Sequence, residues 1–154
     1  MKVCDYLKDS NVFLEMKSRD KKEFLDEMIT ALKDRGIINN HKKILEEVLK
    51  REGLGSTGLE KGIAIPHALT NEVESTVLAL AVARDGIDFD AADQKPSYII
   101  LLLLGNMSNP GYQLKLLAHV CRLVKETSVI EKIRNAKSVT DICEIFLTEE
   151  SKIG

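Results

Sequence analysis

Apolar positions along the chain change period, and the changes mark out its elements. Val12, Leu14 and Met16 recur at every second position in "NVFLEMK" (11–17), the alternation of a strand. From Phe24 the spacing becomes helical, through Leu25, Met28, Ile29 and Leu32. Asp20 is placed to cap this helix, with Glu23 as its capping-box partner, and Gly36 is placed to end it. Asn40 opens a second helix whose stripe is Ile44, Leu45, Val48 and Leu49. Residues 2–8 read as a short opening helix.

Residues 51–62, "REGLGSTGLEKG", break the pattern with four glycines, which predicts a loop with unusual backbone angles or a close approach to another group. Strands are expected at 63–66, 75–83 and 98–104, with a short edge strand at 87–89. Gly86, Pro96 and Gly105 punctuate them. A long helix is expected from Tyr112 to Glu126. Two more begin near Ser128 and Ser138, each with a carboxylate three residues on, Glu131 and Asp141.

The strands between 63 and 104 follow one another too closely for helical crossovers, which take about a dozen residues. The sheet is therefore expected to be mixed, and a Rossmann or flavodoxin order is not expected. Helices on both faces would cover all the apolar stripes. The expected fold is α/β: a single three-layer α/β/α domain over 1–154.

Composition narrows the classes. With 154 residues, 44% hydrophobic and 30% charged, the chain reads as one globular domain. A net charge of −2 with no charged block gives no nucleic-acid or anionic-membrane surface. The longest apolar run, Tyr98 to Leu104, is too short for a membrane helix of roughly 20 residues and fits a doubly buried strand. The N-terminus lacks a signal-peptide core. Cys4, Cys121 and Cys143 are scattered and odd in number, so neither a disulfide framework nor a zinc site is expected. These features point to a cytoplasmic protein with reduced thiols.

Three histidines are present, with no metal-site spacing among them. His119 falls on the more polar side of its helix and His41 at a helix start, so both read as surface residues. His67 stands apart. It follows Pro66 in "GIAIPHA" (62–68), where the proline removes a ladder donor and is expected to end the strand. The segment before it offers the guanidinium of Arg51, the hydroxyls of Ser56 and Thr57, and glycine amides. That set can accept a phosphoryl group. Spacing alone leaves the plainer reading open: a histidine satisfied by a loop carbonyl beside a tight glycine turn.

Imidazole suits phosphoryl relay because its ordinary pKa of about 6.5 leaves a neutral nucleophilic nitrogen available near pH 7. The other nitrogen can hold its proton against a carbonyl or carboxylate. Neither a P-loop nor a kinase signature occurs, which favours a phosphorylated protein over a nucleotide as donor.

The combination of Arg51-Glu52, Ser56-Thr57-Gly58 and Gly62-Ile-Ala-Ile-Pro-His-Ala68 resembles the signature of IIA domains of the bacterial phosphoenolpyruvate-dependent phosphotransferase system. The subtype is the fructose/mannitol class, which includes nitrogen-regulatory relatives. "GIDFDAADQKPSYIILLLLGN" (86–106) is similar to the family's edge strand, turn and central strand, and the likeness covers essentially the whole chain. It implies that His67 receives phosphoryl from an HPr-type carrier protein. In transport systems His67 would pass the group to a cysteine of a IIB domain. It further implies that Arg51, Ser56 and Thr57 stabilise the group, and that no cofactor or metal takes part.

One position departs from the family pattern. Many members carry a second histidine at the start of the helix after the central strand, and here that position is Gln113. Glutamine can donate a hydrogen bond to a phosphoryl oxygen but cannot carry positive charge. The resemblance leaves two roles open: a phosphocarrier serving a sugar permease, or a regulatory module whose phosphorylation state controls binding to target proteins. Both use His67.

Overall fold

A computed structural model describes residues 2–153. After two 3-10 turns, Val3–Asp5 and Asp9–Asn11, the elements are β1 (Val12–Phe13), α1 (Lys21–Asp34) and α2 (His41–Gly53). Then come β2 (Ile63–Ala64), β3 (His67–Thr70), β4 (Val77–Ile87) and β5 (Ser97–Asn106). The helices α3 (Pro110–Glu126), α4 (Val129–Arg134) and α5 (Val139–Lys152) complete the fold. The caps follow the sequence where side chains can reach. Asp20 accepts from the Glu23 amide at 2.9 Å, Asn40 from Lys43 and Ser138 from Asp141. Gly36 closes α1 at φ +77°. Ser128 makes no side-chain cap.

The sheet runs β1-β4-β5-β2, with β3 also paired to β5. β4 and β5 are antiparallel, and the other pairs are parallel, so the sheet is mixed as expected. The alternation in "VLALAVA" (77–83) explains how its two faces are covered. Leu78, Leu80 and Val82 join Leu101 and Leu103 beneath α3, α4 and α5. Ala79, Ala81 and Ala83 face the other way, where their small side chains leave room for Phe24, Leu25 and Met28 of α1 and for Ile44 and Val48 of α2. The result is the three-layer α/β/α arrangement.

Several expectations need correction. The helix expected over 2–8 is only a 3-10 turn at Val3–Asp5, with a second such turn following at Asp9–Asn11, and the strand expected over 11–17 pairs only at Val12–Phe13. Of the expected edge strand at 87–89 only Ile87 is strand, as the last residue of β4, reached through a register shift between Val82 and Ile87. Gly105 lies inside β5 rather than ending it. α3 begins at Pro110, since proline fits a helix's first turn where amides are unpaired anyway. Arg51, Glu52 and Gly53 belong to α2, not to the glycine loop.

The cysteines also differ from expectation. Cys4 and Cys143 form a disulfide, with Cα atoms 5.2 Å apart, tying the first 3-10 turn to α5; only Cys121 is free. A separation of 139 residues hides such a pair from any spacing argument. His119 is not a free surface residue. Its Nε2 lies 2.5 Å from Oε2 of the buried Glu150, which also accepts from the Val3 amide. No helix among the described residues is long and apolar enough to cross a membrane.

Candidate functional site

Pro66 does interrupt the edge of the sheet, but His67 starts a strand rather than ending one. β2 stops at Ala64, and pairing with β5 resumes at His67, opposite Leu103. Proline donates nothing to the ladder, yet its carbonyl accepts from the Leu103 amide at 3.0 Å, so the edge stays in register across the break. Register partners share a face, which places His67 with Leu103 on the α3 side. Ala68 points to the opposite layer.

The imidazole is half-buried, and its Nδ1 lies 2.9 Å from the Ile65 carbonyl oxygen. A carbonyl only accepts, so Nδ1 carries the proton and Nε2 keeps its lone pair. The loop-carbonyl reading and the nucleophile reading are thus compatible, because the same hydrogen bond that satisfies the ring also selects its tautomer.

Gln113 lies on the first turn of α3, on this same face. It is 7% exposed and packs on Gly105, the register partner of Leu69. Gly105 is two residues along β5 from Leu103, about 6.6 Å at the usual rise of a strand. Oε1 of Gln113 is buried without a hydrogen-bond partner among the described residues. Asn109 makes no side-chain cap, so the amides at the start of α3 have no side-chain acceptor there. The Tyr6 and Tyr112 hydroxyls are hydrogen-bonded to each other, joining the N-terminal segment to this turn.

Arg51 sits in the other helical layer, on the last turn of α2, which packs against β3. Its Nη1 donates to the Gly55 carbonyl at 2.9 Å. Ser56 is exposed; its hydroxyl donates to the Phe89 carbonyl at 2.5 Å and accepts from the Gly58 amide. Thr57 is buried, and its hydroxyl and amide both bond to Glu52. The fold therefore puts His67 and Gln113 on one face. Arg51 lies at the end of α2 in the other layer and the two hydroxyls in the loop that follows, each held by protein partners.

Sequence reasoning passed over Glu52. This carboxylate is 8% exposed and pairs with Lys21 Nζ at 2.7 Å. Its position carried a signal: Ile44, Val48 and Glu52 are spaced by four, so the carboxylate continues the apolar stripe of α2. A charged residue on a buried stripe needs partners, and Lys21 and Thr57 supply them.

Known proteins of similar sequence and fold identify the family. A PTS system fructose-specific EIIABC component of Bacillus subtilis (strain 168) is 29% identical over 95% of this chain, which spans 23% of that longer protein. A PTS system fructose-specific EIIA component of Haloferax volcanii is 30% identical over 88% of each chain. The crystal structure of the nitrogen regulatory protein IIA-Ntr from Neisseria meningitidis superposes with a TM-score of 0.84, at 29% identity, over 94% of this chain and 98% of that one. Residues 5–149 match the family described as "Phosphoenolpyruvate-dependent sugar phosphotransferase system, EIIA 2", and the chain belongs to that family.

Proposed function

We propose that the chain is a cytoplasmic phosphocarrier whose His67 accepts a phosphoryl group from a phosphohistidine of an HPr-type protein and passes it to a cysteine of a IIB domain. The observation that carries this reading is the Nδ1–H bond to the Ile65 carbonyl, which leaves Nε2 as the free nucleophile. The Nε2 lone pair attacks phosphorus while the P–N bond of the donor ring breaks, and the donor ring keeps the bonding pair. The accepting ring gains positive charge as the new bond forms, and the Ile65 carbonyl, already on Nδ1–H, stabilises it.

The transferred group carries charge that needs donors. Arg51 can leave the Gly55 carbonyl and bind two phosphoryl oxygens, and the exposed Ser56 hydroxyl can supply another bond. Gln113 offers a neutral amide from α3, and the start of that helix adds a partial positive charge. Thr57 acts differently, by fixing the loop through Glu52.

Among the described residues four large apolar side chains are exposed, and three bracket this region: Leu54 after α2, Met107 after β5 and Leu114 beside Gln113. Such a rim suits docking of a protein donor and acceptor. The EIIABC architecture named for the Bacillus relative supports a IIB partner. The likeness to the Neisseria nitrogen regulatory protein supports a second role, in which phosphorylation of His67 governs binding to regulatory targets.

The test is incubation with phosphoenolpyruvate, enzyme I and HPr, followed by intact mass at alkaline pH. One phosphoryl group on the wild type and none on His67→Ala is the expected result. Equal labelling of the two, or none on the wild type with its cognate carrier, would contradict the reading.

A further inference from the structure

We propose that Glu52 is a positioning residue that sets the tautomer and place of the His67 ring through a hydrogen-bonded relay. The inference rests on the reading of His67 as phosphoryl acceptor. Glu52 begins the relay from a buried site, anchored by Lys21 at 2.7 Å. It accepts from both the amide and the hydroxyl of Thr57. The Thr57 carbonyl in turn accepts from the Ile65 amide at 3.1 Å, and the Ile65 carbonyl accepts from His67 Nδ1 at 2.9 Å. The next residue, Pro66, narrows the backbone of Ile65 to extended conformations. Ile65 is thereby held at its amide by the Thr57 carbonyl and in its backbone angles by Pro66, and its carbonyl is aimed at the ring.

The arrangement explains why a carboxylate occupies the apolar stripe of α2. A hydrophobic residue there would pack equally well but would leave the Thr57 amide and hydroxyl buried without partners. The loop strand 57–59 would then lose its hold on 63–65, where Leu59 donates to the Ile63 carbonyl and Gly58 bridges Ala64. The Ile65 carbonyl would no longer be fixed, and both neutral tautomers of His67 would become populated. Only the tautomer protonated on Nδ1 presents Nε2 as nucleophile.

The experiment compares wild type, Glu52→Gln and Glu52→Ala by long-range proton–nitrogen NMR of the His67 ring in the unphosphorylated protein. The same proteins are then assayed for transfer from the phosphorylated carrier. Gln keeps an acceptor for Thr57, whereas Ala keeps none. The wild type should show Nδ1 protonated and Nε2 bare. Glu52→Ala should show a tautomer mixture and a kcat reduced about tenfold with KM for the carrier little changed, the size expected for one misdirected hydrogen bond. Glu52→Gln should restore most of both. A wild-type tautomer in Glu52→Ala, or a Gln variant as impaired as Ala, would overturn the proposal. Should Glu52→Ala fail to fold, Thr57→Val removes the hydroxyl end of the relay and is held to the same outcomes. The tautomer readout needs no transfer, so a mixture in the variant combined with an inert wild type would contradict the phosphocarrier reading and leave the relay standing.

Discussion

The side chain of Gln113 lies on the Cα of Gly105, so closely that any β-carbon there would collide with Oε1. The contact locks the first turn of α3 onto β5, on the face that carries His67. Gly105→Ala should therefore cost about 1–3 kcal/mol by overpacking. Adding Gln113→Ala should recover at least half of that loss, because it removes the colliding atoms. Urea unfolding of the two single variants and the double variant measures the coupling. Simple additivity would show that the contact is slack.

Arg51 should matter to chemistry and little to stability. Among the described residues its guanidinium bonds only to the Gly55 carbonyl, in an exposed loop. Arg51→Ala should lower the rate of phosphoryl transfer at least about tenfold, the worth of one charge-assisted hydrogen bond. Arg51→Lys should recover only part of it, since an ammonium cannot grip two oxygens in a fork. Rapid-quench transfer from the phosphorylated carrier checks both, and a wild-type rate in Arg51→Ala would remove this residue from the site.

The Cys4–Cys143 bridge predicts a simple titration. Under non-reducing denaturing conditions an alkylating reagent should label one thiol, Cys121, and after reduction three. Because the bridge closes a loop across most of the chain, its removal should cost about 2–4 kcal/mol of unfolding free energy. Cys4→Ser/Cys143→Ser tests this by chemical denaturation. Three thiols in the unreduced protein, or unchanged stability in the double variant, would speak against the bridge.

Glu149 should shape the acid limb of stability. Its buried carboxylate accepts a hydrogen bond from Lys132, and Lys152 Nζ lies 2.8 Å from its other oxygen, in ion-pair range but not aligned as a hydrogen bond. Lys132 first and Lys152 second hold this carboxyl below the ordinary value of 4.5, against the opposing effect of burial. A group depressed on folding contributes stability that is fully present above its unfolded pKa and is lost as pH falls through the folded one. The loss should thus begin below about pH 4.5. Glu149→Gln should flatten the fall of melting temperature with pH in that window. An unchanged acid limb would mean that the two lysines do not favour the charged form.

What the sequence made legible was what repeats. The stripes of α1 and α2 and the caps at Asp20, Asn40 and Ser138 are local patterns with local causes, and together with the short connections between the strands they led to the three layers and the mixed sheet. The short pieces were not legible. β2 and β3 are two and four residues long, and Pro66 hid the fact that pairing to β5 resumes at His67. Contacts between distant segments left no trace either: the Cys4–Cys143 bridge and His119 on Glu150. At the site, the motif singled out His67 and its neighbours in sequence, whereas the relay from Glu52 depends on Thr57 lying opposite Ile65. That pairing is made by the loop's return along the sheet edge, which spacing does not reveal.

The nitrogen of the His67 ring that takes the phosphoryl group is the decisive atom. The direct measurement is phosphorus–nitrogen coupling in the phosphorylated, 15N-histidine-labelled protein held at alkaline pH. The predicted result is a coupling to His67 Nε2, with Nδ1 still protonated on the Ile65 carbonyl. Phosphorus bonded to Nδ1, or to any other side chain, would contradict it.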